Sequence, residues 1–265
     1  MADVRAQFLD VGTGAARRRI AYLNQPGAAP GLLWLQGFRS DMAGTKAEAL
    51  SRWAGKKGLA CTRFDYSGHS QSGGRFEEGT IGGWLEEARQ VFARLTAGPQ
   101  IVVGSSMGGY IALLLLKQLM AEAPAEAARI KALVLIAPAW DMTEELMWKQ
   151  FPDDARQALA RDGVWLRPSQ YGDPYPITRR LIEEGRNHLL ARRPWDPGRP
   201  VAIMHGLLDP DVPWTHTLEL KSFLTGDWVS VTAVADGEHR LSRPADLELL
   251  FAIIDGAIAG TASRS

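Results

Sequence analysis

Gly104-Ser105-Ser106-Met107-Gly108 has the composition and spacing of a G-x-S-x-G turn. The β-branched run Ile101-Val102-Val103 before it favours a strand, and the apolar stretch from Tyr110 to Met120 behind it favours a buried helix. A chain that passes from strand to helix in so few residues must turn tightly, which puts Ser106 in a strained conformation. Glycines at 104 and 108 are needed there because a side chain at either position would collide across the turn. The Ser106 hydroxyl is then lifted clear of the sheet edge beside the N–H groups of a helix start, placed to act as a nucleophile.

A serine at its ordinary pKa is a weak nucleophile and needs a base within hydrogen-bond reach, itself held by a carboxylate. His239, in Gly237-Glu238-His239-Arg240-Leu241, lies past the last expected strand and before the last helix, where a base can return to Ser106. For the acid, Asp209 closes the His205-Gly206-Leu207-Leu208-Asp209 turn directly after the Val201–Met204 strand. Asp211, two residues on, fits a helix cap, and Asp141, after the Leu133–Ile136 strand, is the topological alternative; both stay open. Asp236 is too near His239 in sequence to approach its ring from behind and reads as a turn residue. Negative charge that develops on a carbonyl oxygen needs donors already in place. Met107 N–H at the helix start is one, and Phe38 N–H in the Gln36-Gly37-Phe38-Arg39-Ser40 loop is the other.

The remaining candidates read as structural. Ser105 should face the sheet, and His205 should satisfy its nitrogens inside its own loop. His69, in Asp65-Tyr66-Ser67-Gly68-His69-Ser70-Gln71-Ser72, lies in a turn near the Phe38 loop that Asp65 and Ser70 can tie to backbone. His188 and His216 show no partner pattern. Cys61 reads as a small buried hydrophobe, and a single cysteine excludes an internal disulfide. No H-x-x-x-H or H-x-x-E-H spacing points to a metal, and neither Gly12-Thr13-Gly14 nor Gly73-Gly74 has the strand–loop–helix context of nucleotide binding. The chemistry therefore needs no cofactor.

The elements that must carry these residues alternate. Extended segments are expected near Ala6–Val11, Arg18–Leu23, Gly31–Leu35, Ala60–Tyr66, Gln100–Gly104, Ile130–Ile136, Pro200–Met204 and Trp228–Ala235. Helices are expected over Ala43–Lys57, Thr80–Leu95, Val212–Leu224 and Arg243–Ala259. That alternation implies parallel pairing with helices on both faces. Between Ala139 and Pro194 the rhythm breaks. Trp140, Met142, Leu146, Met147, Trp148, Phe151, Trp165, Leu166, Tyr171 and Tyr175 sit there amid charges and prolines. A structureless loop of such length is improbable, so a small helical cap is expected over the carboxyl edge of the sheet, where ligands bind. Phe38, Trp140, Met142, Trp148 and Trp165 are the residues expected to line a pocket beneath it. The resulting division is a core over 1–138, a cap over 139–195 and a second part of the core over 196–265.

The 265 residues suit one α/β domain with an insertion. Apolar residues form 46% of the chain, enough for a large core, and thirty basic residues balance thirty acidic ones. A neutral chain has no net field to steer it toward nucleic acid or an anionic membrane. Ile111–Leu116, the most apolar segment, is too short to span a bilayer. The first residues lack a basic head followed by an apolar stretch, so the expected setting is cytoplasmic. Oligomeric state is not legible.

Ser106, Asp209 and His239 in that order, with Gly104–Gly108 and the Gln36-Gly37 loop, resemble the α/β-hydrolase superfamily. The runs Asp65-Tyr66-Ser67-Gly68-His69-Ser70, His205-Gly206…Asp209…Val212-Pro213-Trp214 and Asp236–Ser242 are similar to those of mitochondrial α/β-hydrolase-domain acyl-protein thioesterases and acyl-glucuronide esterases and their bacterial homologues. The resemblance, from about Arg17 to Ala259, implies a mostly parallel eight-stranded sheet with a small helical cap. It also implies hydrolysis of small-molecule or protein-borne esters or thioesters through an acyl-serine. Two departures stand out: Gln36-Gly37 replaces the His-Gly of many members, and no mitochondrial presequence is evident. Two rival readings keep the same fold. A serine aminopeptidase or amidase would use cap carboxylates such as Glu144, Glu145 and Glu183 to hold a substrate amino group. A catalytically silent binding protein would normally have lost one of the three residues.

Overall fold

The structure is a computed structural model that describes residues 5–168 and 173–262; Tyr171 lies outside them. The first strands, β1 (Gln7–Val11) and β2 (Arg18–Gln25), form an antiparallel pair. Then follow β3 (Ala28–Leu35), α1 (Thr45–Lys57), β4 (Leu59–Phe64), α2 (Ile81–Leu95), β5 (Gln100–Ser105), α3 (Met107–Glu122), the short α4 (Pro124–Ala127) and β6 (Ile130–Ile136). After an insertion that holds β7 (Val164–Arg167) and β8 (Tyr175–Thr178), the core is completed by β9 (Val201–Gly206), α7 (Trp214–Phe223), β10 (Val229–Val234) and α8 (Pro244–Ala262). The eight strands run in the order β1-β2-β4-β3-β5-β6-β9-β10. Pairing is parallel from β4 to β10, and β2 alone runs against its neighbours.

Strand composition explains this arrangement. Parallel strands covered by helices on both faces read as unbroken apolar runs, and every residue of β5 is buried. Alternate residues serve opposite faces: Leu33, Leu35, Val102 and Leu135 enter the core under α2 and α3, whereas Leu32, Ile101, Val103 and Val134 meet α1 and α8. α3 is apolar nearly all round, as a helix enclosed by the core must be. Thr80, expected as helical, is instead the cap of α2, its Oγ1 accepting Gly83 N–H at 3.1 Å.

The insertion is not purely helical. α5 (Asp153–Asp162) and α6 (Arg179–Gly185) flank an antiparallel pair, β7 (Val164–Arg167) and β8 (Tyr175–Thr178), with Trp165 opposite Ile177. Strands of four residues that carry a proline and an arginine give too little alternation to register as strands in sequence. Hydrogen bonds fasten the insertion to the core: Glu184 of α6 accepts Gly82 N–H at 3.1 Å, and Tyr110 Oη–H donates to the His188 carbonyl at 2.7 Å. His188 and His216, both without a partner pattern in sequence, are part of these fastenings. His188 Nε2 lies 2.7 Å from Glu184, and His216 clasps Trp140 reciprocally through two 2.8 Å hydrogen bonds.

One buried charge makes the fold sensitive to pH. The Glu87 side chain in α2 is wholly buried, accepts Ser67 N–H at 2.8 Å and pairs with Arg18 Nε at 2.7 Å. Burial pushes its carboxyl from the ordinary 4.5 up to about 7 despite those partners. The native state therefore binds more protons here than the unfolded chain, and its stability falls as pH rises from about 4.5 to about 7. Glu87→Gln keeps a polar partner without ionising. Its stability relative to wild type is expected to rise by up to about 3 kcal/mol between about pH 5 and about pH 8 in urea unfolding. A difference that stays constant over that range would show that Glu87 does not titrate there.

Candidate active site

β5 ends at Ser105 and α3 begins at Met107, so Ser106 alone makes the turn. It does so at φ 54° and ψ −117°, a left-handed conformation rare for a residue with a side chain. The two glycines hold it there. A Cβ on Gly108 would lie 2.0 Å from the Leu35 carbonyl oxygen, and one on Gly104 would lie 2.4 Å from the Gly108 carbonyl oxygen. The backbone of Ser106 is used in full, its N–H donating to Ile136 O at 2.8 Å and its carbonyl accepting Ala139 N–H at 3.1 Å.

Two loops from the far half of the sheet meet beside this serine. A Cβ on Gly206, at the end of β9, would lie 2.3 Å from Gly237 O, and Leu208 N–H donates to that oxygen at 2.9 Å. Contact between these loops brings Asp209 to His239. His239 Nδ1 is 2.7 Å from Asp209 Oδ2, and its Nε2 is 3.1 Å from Ser106 Oγ. The Asp209 carboxylate is fully buried yet satisfied, because its Oδ1 accepts the N–H groups of Asp211 at 2.8 Å and Val212 at 2.9 Å. With Nδ1–H donated to the carboxylate, Nε2 carries the lone pair and accepts the serine hydroxyl.

The other candidate carboxylates do not hydrogen-bond the His239 ring. Asp211 lines the cleft beside the serine, but it is Asp209 that meets the ring. Asp141, at φ 49°, accepts Leu190 N–H at 2.7 Å at the root of the insertion, and burial raises its pKa. Asp236 pairs with Arg243 at 2.7 Å, and that hydrogen bond lowers its pKa. His205 satisfies both nitrogens within its own neighbourhood, through Thr217 at 2.7 Å and the Val212 carbonyl at 2.9 Å, and burial lowers its pKa. Cys61 is buried, which pushes its thiol up to about 12. Among the described residues the one cluster with metal-ligating spacing is Asp209, Asp211 and His239. Both Asp209 oxygens there already face donors.

The loop after β3 presses on the nucleophile, since a Cβ on Gly37 would lie 3.3 Å from Ser106 Cβ. Within it, Arg39 N–H donates to His69 Nε2 at 3.2 Å and Ser40 N–H to Gly37 O at 3.1 Å. Among the described residues no acceptor meets the N–H of Phe38 or of Met107. Two unengaged donors thus sit on segments next to Ser106: Met107 follows it in the chain, and Phe38 follows the Gly37 that abuts it.

Ser106 and His239 open into a cleft of about 590 Å³. Phe38 and Met142, both expected there, line it, and Ser105 reaches it too. Trp140, Trp148 and Trp165 do not. Trp140 is fully buried, stacked on His216 with ring centres 4.3 Å apart. Trp148 lies under the guanidinium groups of Arg156 and Arg186, and Trp165 packs edge-on against Phe151 at 5.0 Å. The three rings serve packing rather than the pocket wall, Trp140 fully buried and Trp148 and Trp165 half-buried against the core. The insertion instead contributes Leu146, Met147, Arg167, Pro168 and Tyr175 to the cleft. Lys46, also in the wall, donates to Arg240 O and to Ser242 Oγ at 3.3 Å, bracing the segment just after His239. Burial pulls its ammonium down to about 8. Neither Lys46 nor Tyr175 carries a motif, so only the fold could bring them to this place.

A family profile described as "Serine aminopeptidase, S33" matches residues 37–184. The human protein named palmitoyl-protein thioesterase ABHD10, mitochondrial, is 33% identical over 241 residues, which cover 90% of this chain and 76% of that protein. A solved hydrolase from Agrobacterium vitis S4 superposes with a TM-score of 0.92 at 42% identity over 96% of this chain and 98% of its own. Mouse α/β-hydrolase domain-containing protein 10 gives 0.83 at 30% identity over 96% and 99%. Est1E from Butyrivibrio proteoclasticus, at 20% identity and a TM-score of 0.69, shares the fold over 91% of this chain and 96% of its own.

The close approach of Gly108 to Leu35 sets a test of the turn itself. Gly108→Ala forces a methyl group into a backbone carbonyl and is expected to cost several kcal/mol (about 3 or more) of stability. A thermal midpoint equal to that of wild type would show that the turn has room the geometry denies.

Proposed function

The chain belongs to the serine aminopeptidase S33 family of α/β-hydrolases, and on that footing we propose that it hydrolyses carboxylic esters or thioesters through an acyl-serine intermediate. Ser106 is the nucleophile, His239 the general base and Asp209 the acid that orients it. The observation that carries this reading is the placement of the His239 ring, with one nitrogen 2.7 Å from Asp209 and the other 3.1 Å from Ser106 Oγ.

As Ser106 Oγ adds to the acyl carbon, its proton passes to His239 Nε2. The buried Asp209 carboxylate holds the ring in the required tautomer and offsets the imidazolium charge. The oxyanion is met by the N–H groups of Phe38 and Met107. His239 then gives its proton to the departing thiol or alcohol. Water, deprotonated by the same nitrogen, attacks the acyl-serine, and a second collapse frees the acid and restores the Ser106 hydroxyl. The segment 139–195 acts as the cap. Its Met142, Leu146 and Met147, with Phe38, offer an apolar wall to an acyl group. On this reading short to medium or bulky acyl chains are the expected substrates.

An aminopeptidase of the same fold would need cap carboxylates free to hold a substrate amino group. Glu144 is paired with Arg186 at 3.1 Å, Glu145 with Lys149 at 2.7 Å, and Glu183 with Arg179 at 3.9 Å. None of the three lines the cleft. The ester or thioester reading is therefore preferred.

A fluorophosphonate probe is expected to label the wild type and not Ser106→Ala, and strong labelling of the variant would reject the assignment. Asp209→Asn is expected to lower kcat by about four orders of magnitude, as loss of the orienting acid does elsewhere. Asp211→Asn should leave it within about threefold, because the Asp211 backbone N–H, not its side chain, serves the site. Rates over p-nitrophenyl esters and acyl thioesters of graded chain length, beside amino-acyl amides, test the substrate class. Faster cleavage of the amides would favour the peptidase.

A further inference from the structure

His69 is almost wholly buried, with 4% of its surface exposed, in the Asp65–Ser72 turn. A buried imidazole must satisfy both nitrogens. Its Nδ1 lies 3.1 Å from the Ser67 carbonyl oxygen, an acceptor, so Nδ1 carries the proton. Its Nε2 faces Arg39 N–H at 3.2 Å, a donor, so Nε2 must accept. Only the neutral ring with hydrogen on Nδ1 fits both partners. Burial, which lowers the pKa of His69, favours that form.

The ring also stands on a fixed base. Tyr66, Phe76 and Trp84 meet it at ring-centre distances of 6.0, 5.2 and 5.4 Å. The Ser67 carbonyl that receives Nδ1–H also accepts Trp84 Nε1–H at 3.2 Å, and Ser67 N–H is held by Glu87 at 2.8 Å. On the other side, Arg39 has φ 58°, a conformation that a residue with a side chain keeps only when its surroundings hold it. In that loop the Arg39 and Ser40 amides are engaged, and among the described residues Phe38 N–H, next in the chain to the His69 contact, meets no acceptor. Gly37, on the other side of Phe38, abuts Ser106.

We propose that His69 is a positioning residue: its Nε2, by accepting Arg39 N–H, holds the Gly37-Phe38-Arg39 loop so that the Phe38 amide stays beside Ser106 to receive the oxyanion. This rests on the reading of Ser106 as nucleophile and Phe38 N–H as oxyanion donor. Without the acceptor, Arg39 relaxes toward an ordinary φ and carries the Phe38 amide from its place. Substrate still binds, because the side of the cleft that the insertion supplies, Met142, Leu146, Met147 and Tyr175, is unchanged. Stabilisation of the transition state is what weakens.

The test uses a p-nitrophenyl ester and a trifluoromethyl ketone, which forms an oxyanion when the serine adds to it. His69→Leu fills similar space without an acceptor. Its kcat is expected to fall about tenfold to a hundredfold with KM within about twofold, and ketone affinity should weaken by a factor similar to that for kcat/KM. His69→Gln, whose amide can both donate and accept, should recover part of the loss. If the leucine variant does not fold, His69→Asn carries the same expectation, since its shorter amide can reach Ser67 but not Arg39. An unchanged kcat in a folded variant, a rise in KM alone, or a fall in kcat with ketone affinity unchanged would overturn the positioning role. Full activity in Ser106→Ala would instead remove the reading beneath it. Loss in Ser106→Ala with normal turnover in His69→Leu would sink the His69 role alone.

Discussion

Everything at the candidate site follows from the absence of room around one turn. Backbone meets backbone where Gly108 crosses the end of β3 and Gly104 faces Gly108, so neither position can carry even a methyl group. That crowding holds Ser106 at a positive φ, a conformation its own side chain disfavours. The energy that sustains the strain comes from elsewhere: β5 is buried along its whole length, and α3 behind it is enclosed on nearly every side. A local conformation costing about 1–3 kcal/mol is tolerated because a much larger burial of apolar surface over-determines it.

Two of the buried carboxylates, Asp209 and Glu87, have contrasting surroundings. Asp209 accepts two backbone N–H groups and the Nδ1–H of His239. Glu87 has one backbone donor and one arginine, and burial outweighs them, with its carboxyl pushed up to about 7. The β9–α7 loop offers its carboxylate two fixed backbone donors, where Glu87 meets one.

The insertion divides its apolar residues between two tasks. Trp140, Trp148 and Trp165 make its internal packing and its fastening to α7, while smaller or more flexible side chains such as Met142, Leu146 and Met147 face the cleft. In sequence all of these are apolar residues in one irregular stretch, and nothing in their order tells wall from core. Periodicity assigns a face only where an element is long enough to repeat, and here helices of one to three turns and strands of four residues alternate.

Ser106, its flanking glycines and the alternation of strands and helices were legible from sequence because each is local: β-branched runs, small residues at fixed spacing and a long apolar helix leave little choice. His239 and Asp209 were legible by their places after strands, yet only tertiary structure separates Asp209 from Asp211 and Asp141. Which carboxylate meets the ring depends on two loops joined through Gly206 and Gly237, thirty-one residues apart in the chain. The contact of His69 with Arg39 across thirty residues and the bracing of Arg240 by Lys46 across 194 belong to the same class. Residue type and spacing determine what a segment can form. A contact between distant segments depends on how whole layers pack, and that information is spread over the entire core rather than written at either partner.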